Sequence, residues 1–369
     1  MTELSASSTS TPSEGRAGFP PAPARRRYAS YLSDSARWDG FEFRDDDVLI
    51  CTPAKCGTTW MQMICALLIF QSKALPGRLD DLSPWLDSKS ESLGRVVAAL
   101  EAQEHRRFIK THTPLDGLPF DERVTYLCVG RDPRDVAVSA YNHGQNMNLP
   151  TVLAAVEATG GLEDFPEYRT GHAPSWPDDL TEQFWAWVEA EPGPEREHMV
   201  GPPSANWSGS LVALLDHLGT FWEQRHRDNV VLLHYSDLQD DLEQQMRHVA
   251  SVLGIDVEKG LWPELVTAAR FENMKARADE LAPEIHVEGI WMDTARFFNK
   301  GSRGQWRQIM STAEEQRRYQ ARVNELGNPE LLAWAHRGPR VQDTVEPVTS
   351  RPAAWHGSYS AKIGESPRT

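Results

Sequence analysis

The chain has 369 residues, 40% of them hydrophobic and 25% charged, which suits one large domain of ordinary soluble composition. A formal net charge of −15 excludes the broad basic field of a nonspecific nucleic-acid binder, so no nucleic-acid partner is expected and any anionic ligand needs a locally basic pocket. The longest apolar run, Met63 to Phe70, is far short of the roughly 20 residues of a membrane span, and no CxxC or HExxH cluster offers ligands to a metal.

Residues 1–27 are rich in Ser, Thr, Pro, Ala and Gly and read as a disordered N-terminal tail. Arg25, Arg26 and Arg27 have no apolar stretch beside them, so no signal peptide is read there. With Cys51, Cys56, Cys65 and Cys128 this predicts reduced thiols and a cytoplasmic protein. Residues 28–338 read as one domain. Its first strand is DVLICT (47–52), followed by a small-residue loop and the helix TTWMQMICALLIFQ (58–71), apolar on nearly all sides and therefore central. RRFIKTH (106–112) and VTYLCVG (124–130) are the next strands, and PRDVAVSAYNHG (133–144) is a helix with Pro133 suited to its first turn. Residues 146–204 form a long insertion with Tyr168, Trp176, Trp185 and Trp187 and a helix over 178–190; with residues 73–95 and 276–296 it is expected to cap a ligand pocket, its aromatics either lining that cap or packing as ordinary core. Helices around 205–226 and 239–254 flank a fourth strand, NVVLLHY (229–235), and residues 339–369 read as a second disordered tail.

Short apolar strands alternating with helices predict a single α/β domain, a mostly parallel central sheet flanked by helices. Ligands of such sheets lie beyond the carboxyl ends of the strands, at Thr52–Thr59, Lys110–Thr113, Gly130–Arg134 and Tyr235–Asp237. The first of these is a P-loop-like strand–loop–helix. Backbone N–H groups and the helix dipole favour an anion there, Gly57 permits close approach, Thr58 and Thr59 add hydroxyls, Lys55 adds charge and Trp60 offers a flat face for a base. The G-x-x-x-x-G-K-[ST] pattern is absent: no glycine precedes Lys55 in the loop, and Cys56 stands where a hydroxyl would ligate Mg²⁺. Read alone, Trp60 is equally a core residue and Lys55 a solvated charge.

The run Lys55-Cys56-Gly57-Thr58-Thr59-Trp60 resembles the Lys-Ser-Gly-Thr-Thr-Trp loop of the cytosolic sulfotransferase family, which holds the 5′-phosphosulfate of 3′-phosphoadenosine 5′-phosphosulfate (PAPS). Three further motifs follow in the family's order. KTHTP (110–114) is similar to the motif that carries the family's catalytic base, here His112. In YLCVGRDPRDVAVSAYNH (126–143), Arg131 and Ser139 match the pair that binds the 3′-phosphate; standing alone, Arg131, Asp132, Arg134 and Asp135 would read as a solvated ion-pair run. The same stretch outlines a tyrosine-phosphatase loop, Cys128 to Arg134, but Cys128 falls inside the strand rather than in a cradle of N–H donors. FFNKGSRGQW (297–306) keeps the family's Lys300, Gly301, Gly304 and Trp306, with Asn299 and Gln305 in place of an arginine and an aspartate. Tyr235 and Phe271 match a donor-holding tyrosine and an adenine-stacking aromatic.

The resemblance spans roughly residues 40 to 326. It implies a sulfotransferase that moves a sulfonate from PAPS, without a metal, to a hydroxyl or amine of a small apolar or phenolic acceptor. His112 would be the base, Lys55 and Lys110 the catalytic cations, and PAP the product. It also implies a homodimer, formed in the family through a Lys-x-x-x-Thr-Val-x-x-x-Glu segment; the aligned residues here are Arg307, Ser311, Thr312 and Gln316. The competing readings are a P-loop-like nucleotide kinase, which would need Mg²⁺ and ATP, and a noncatalytic PAP-binding protein, which would need neither Lys55 nor His112.

Overall fold

The computed structural model describes residues 25–171, 177–191, 209–284 and 287–337. The expected tails (up to residue 24 and from residue 338), Trp176 and residues 192–204 lie outside the described residues. Arg27 lies within them and pairs with Asp34 and Asp164.

Four short strands hold the centre: β1 (Val48–Ile50), β2 (Phe108–Lys110), β3 (Thr125–Gly130) and β4 (Val230–His234). They form one parallel sheet in the order β2-β1-β3-β4. Helices cover both faces, which is why the strands read as unbroken apolar runs rather than as alternations. Leu49, Tyr126 and Cys128 face one core with Trp187, Leu215 and Phe221. Val48, Ile50, Leu127 and Val129 face the other with Met61, Ile64 and Leu68 of the helix Thr58–Phe70. Wrapped by core, that helix needs no polar stripe.

The strands are shorter than the sequence implies, β1 because its carboxyl end turns out of the ladder. The carbonyls of Cys51 and Thr52 accept from His217 Nε2 (2.8 Å) and His112 Nδ1 (2.7 Å) instead of from a neighbouring strand. Backbone acceptors at the sheet edge are thus satisfied by imidazoles. The helix Pro133–Gly144 begins as its sequence predicts, with Pro133 in the first turn and the Asp132 carboxylate accepting from Arg134 N.

Within the insertion, Trp185 and Trp187 sit on the helix Leu180–Glu189 and pack into the core. Tyr168 stacks on Tyr31 at 4.6 Å. Among the described residues no helix is long and apolar enough to cross a membrane.

One buried ion pair fastens the entry to the sheet. Arg107 Nε donates to Asp47 Oδ1 at 2.8 Å, a second guanidinium nitrogen donates to Oδ2, and both side chains are at most 2% exposed. Removing one partner strands the other in the core. Arg107→Met should therefore lower the unfolding free energy in urea by about 3–5 kcal/mol; an unchanged midpoint and slope would show that the pair does not hold β1 to β2.

Candidate active site

At the carboxyl ends of the strands lies a cleft with an empty volume of about 1170 Å³. Every site residue named from the sequence lines it except Cys56. Cys56 departs because its thiol points into the core and is pushed up to about 12 by burial, and its amide closes the turn by donating to Pro53 O at 3.1 Å. The sequence position that carries a hydroxyl in the family therefore contributes no polar side-chain atom to the cleft.

The loop is bent by two left-handed residues, Lys55 (φ 67°) and Gly57 (φ 108°). At Gly57 a side chain would meet Tyr235, since a Cβ would lie 3.1 Å from that ring. Thr58 Oγ1 is buried at the start of the helix with no hydrogen-bond partner among the described residues. Arg131 Nη1 donates to Lys55 O at 2.7 Å, and its guanidinium lies 4.4 Å from the Tyr235 ring centre. Arg131 Nε is likewise buried without a partner among the described residues. A guanidinium edge, a hydroxyl and a helix N-terminus left open fit a ligand with more than one phosphate, because each lacks the acceptor that it would have in a purely structural role.

The cations are crowded. Burial lowers Lys55 to about 7, helped by Arg131 and Lys110. Burial lowers Lys110 to about 8, and its Nζ lies 4.1 Å from the centre of the Trp85 ring. His112 feels both charges. Its Nδ1 proton goes to Thr52 O, which leaves Nε2 as the basic nitrogen. Burial, then the Lys110 charge, holds the ring well below its ordinary value, so it is neutral. The loop around His112 is fixed from behind: Thr111 Oγ1 and Thr113 Oγ1 each donate to Asp87 Oδ2 at 2.6 Å.

Opposite, the segment 299–305 closes over the cleft. Gly304 N and Gln305 N donate to the Asp135 carboxylate at 2.8 and 2.9 Å, fastening this segment to the helix Pro133–Gly144. The Arg131–Asp135 stretch is accordingly not a solvated run; Arg131, Asp132 and Asp135 are buried. Gly301 presses on Phe271, with a Cβ position 2.7 Å from the ring. Lys300 is exposed at the rim, and Asn299 and Gln305 line the cleft where the family carries charge. Arg303 is turned away, paired with Asp240 at 2.6 Å.

The other half of the cleft is apolar, walled by Leu32, Trp85, Met147, Val152, Ile290 and Trp291. Asn146 stitches this wall together, donating to Asp293 O (2.9 Å) and accepting from Asp293 N (3.0 Å). All of these wall residues but Leu32 fall in the segments 73–95, 146–204 and 276–296 expected to cap the pocket, though none was singled out by itself; neither were Asp135's role nor His143, which sits 2.9 Å from Lys55. For His143 a signal existed: it falls one helical turn beyond Ser139, on the same helix face.

A model of the sulfotransferase domain matches residues 45–327. A glycolipid sulfotransferase of Mycobacterium bovis (strain BCG / Pasteur 1173P2) is 43% identical over 325 residues, covering 86% of this chain and 95% of the relative. The chain belongs to the sulfotransferase family. Rat sulfotransferase 1A1 is more distant, 26% identical over 74% of this chain and 81% of its own. Among solved structures, retinol dehydratase in complex with androsterone and the inactive cofactor PAP superposes with a TM-score of 0.57 at 20% identity, over 80% of this chain and 86% of that one. Mouse sulfotransferase SULT7A1 complexed with PAP gives 0.56 at 18%, over 82% and 92%. This sulfotransferase therefore shares both the sequence family and the parallel α/β fold.

Its buried imidazoles make the fold sensitive to acid. His112, His143 and His217 are all held neutral by burial, His217 down to about 4. Below an unfolded value of about 6.5 the unfolded chain takes up protons that the fold refuses, so stability is lost as the pH falls through that window. His217→Gln should remove about one proton, roughly 1.4 kcal/mol per pH unit, from the slope of unfolding free energy between about pH 6 and about pH 4.5. A slope identical to that of the parent protein would contradict a neutral His217.

Proposed function

We propose that this sulfotransferase uses PAPS as donor and passes its sulfonate to a hydroxyl on a small, largely apolar acceptor, with His112 as general base. The observation that carries the reading is His112 itself: a neutral imidazole, its Nδ1 tied to Thr52 O, lying in the same cleft as Lys55, Lys110 and Arg131. The donor supplies a sulfonate already joined to a phosphate leaving group. Two solved relatives of the fold are complexes with PAP, which supports a bisphosphorylated adenosine as ligand.

In this reading Arg131 and Ser139 take the 3′-phosphate, joined at the rim by Lys300 and Gly301. The 5′ side lies on the N–H groups from Gly57 to Thr59, with the Thr58 hydroxyl. Trp60, Tyr235 and Phe271 enclose the adenosine. His112 Nε2 removes the acceptor's proton as its oxygen approaches sulfur. Lys55 offsets the charge that gathers on the departing phosphate oxygen, and Lys110 the charge on the transferring group. Both lysines sit at values, about 7 and about 8, that an incoming polyanion shifts upward, so binding itself charges them. The position directly after Lys55, where a P-loop carries its Mg²⁺-ligating hydroxyl, is Cys56 with its thiol in the core, which weighs against the kinase reading. The apolar wall, and a mycobacterial relative named for glycolipid, favour an alcohol on a lipid-like body. The four cysteines are free thiols, which fits a reducing compartment and a cytoplasmic location.

The test is transfer from labelled PAPS to a panel of lipid alcohols, sterols and phenols. His112→Ala should lower turnover by at least ~100-fold while PAP affinity is kept; undiminished turnover would remove His112 as the base. Arg131→Ala should weaken PAP binding by about tenfold or more in calorimetry, the cost of a charge-assisted contact; an unchanged Kd would take Arg131 out of the donor site.

A further inference from the structure

No motif gives His143 a role. Its Nδ1 nevertheless stands 2.9 Å from Lys55 Nζ, joining the last turn of the helix Pro133–Gly144 to the phosphate loop. The charged form of Lys55 has donors and no acceptor, and His143 is neutral, so in that form Lys55 donates to Nδ1 and the ring proton resides on Nε2. The same ring lies edge-on to Trp291 at 5.0 Å and 6.3 Å from Phe297, both in the cleft wall. His143 is therefore one contact between the residues proposed to hold the donor and those proposed to hold the acceptor.

The groups that face Lys55 make this contact consequential. From β3 comes Arg131 and from β2 comes Lys110, both repelling a charged Lys55; from its own loop comes the Cys56 thiol, which burial keeps protonated. Phe297 presents its ring at 5.6 Å. His143 supplies a hydrogen-bond acceptor within this set.

We propose that His143 is a positioning residue for sulfonate transfer: its Nδ1 keeps the Lys55 side chain charged and aimed across the cleft at the point where the sulfonate changes hands. This rests on the reading that Lys55 faces the donor's phosphosulfate. Losing the acceptor lowers the proton affinity of Lys55, so the charged form is lost at a lower pH than in the parent protein.

Two substitutions separate this role from simple packing. His143→Asn keeps a side-chain acceptor and loses the ring; His143→Phe keeps the ring against Trp291 and Phe297 and loses the acceptor. PAP affinity is measured by calorimetry in the full chain from about pH 6 to about pH 9, a range that brackets the Lys55 value of about 7. Turnover with labelled PAPS is measured alongside. In the parent protein affinity weakens as the pH rises past about 7. In the Phe variant that fall begins about one pH unit lower and turnover near neutrality drops about tenfold, as expected for a lost hydrogen bond to a charged group. The Asn variant tracks the parent within about twofold. A Phe variant with the parent's pH dependence, or an Asn variant that fails to restore it, overturns the proposal. A parent protein that binds no PAP overturns the donor assignment and this inference with it, a result visible before any variant is made.

Discussion

Mutual repulsion among buried cations is the constraint around which this molecule is arranged. Lys55, Lys110 and Arg131 come from the ends of three adjacent strands into one cleft, where burial holds both lysines well below their ordinary value and the charges of Arg131 and Lys110 lower Lys55 further. Such a set does not stabilise the fold. It is a field prepared for an anion, held in place by groups that touch the cations only from the side or from behind. Arg131 is propped by the Lys55 carbonyl and the Tyr235 face, and Lys110 by the Trp85 face.

The rest of the architecture holds that field still. Parallel strands deliver three loops to one edge, and the shortness of β1 frees the carbonyls of Cys51 and Thr52 to orient imidazoles. Asp87 anchors both threonines that flank His112, so the intervening ring is turned outward from a buried carboxylate. Asp135 does the same for the segment 304–305, drawing the cover of the cleft onto the helix that carries Ser139 and His143. The acid side of the sequence is thus spent locally on positioning, while a net charge of −15 surrounds a pocket of opposite sign.

The sheet was legible in the sequence because each strand is buried on both faces and reads as an unbroken apolar run. The helix starts were legible because Gly57 and the Asp132-Pro133 pair mark them chemically. Lys55, His112 and Arg131 were legible because they sit where such strands end, in short runs with a recognisable order. What stayed hidden depends on which side of the chain a residue presents and on long-range contact. Cys56 looks like a loop donor until its thiol is seen in the core. Trp185 and Trp187 are as compatible with a pocket cap as with the core they occupy, since one amphipathic helix pattern serves both. The wall of Leu32, Trp85, Met147 and Trp291 comes from segments far apart in sequence and follows no local period.

The basic and apolar halves of the cleft meet at a seam of aromatic rings and imidazoles, so one side can hold charge and the other an apolar body. The most direct test of this account is thermal unfolding of the intact protein with PAP, ADP and ATP, each with and without EDTA. The account predicts a midpoint raised by PAP, indifferent to the chelator, and little affected by ADP or ATP, because a ligand that prefers the folded state stabilises it with the logarithm of its concentration over Kd. A midpoint raised by ATP only when Mg²⁺ is present, with no response to PAP, would contradict it.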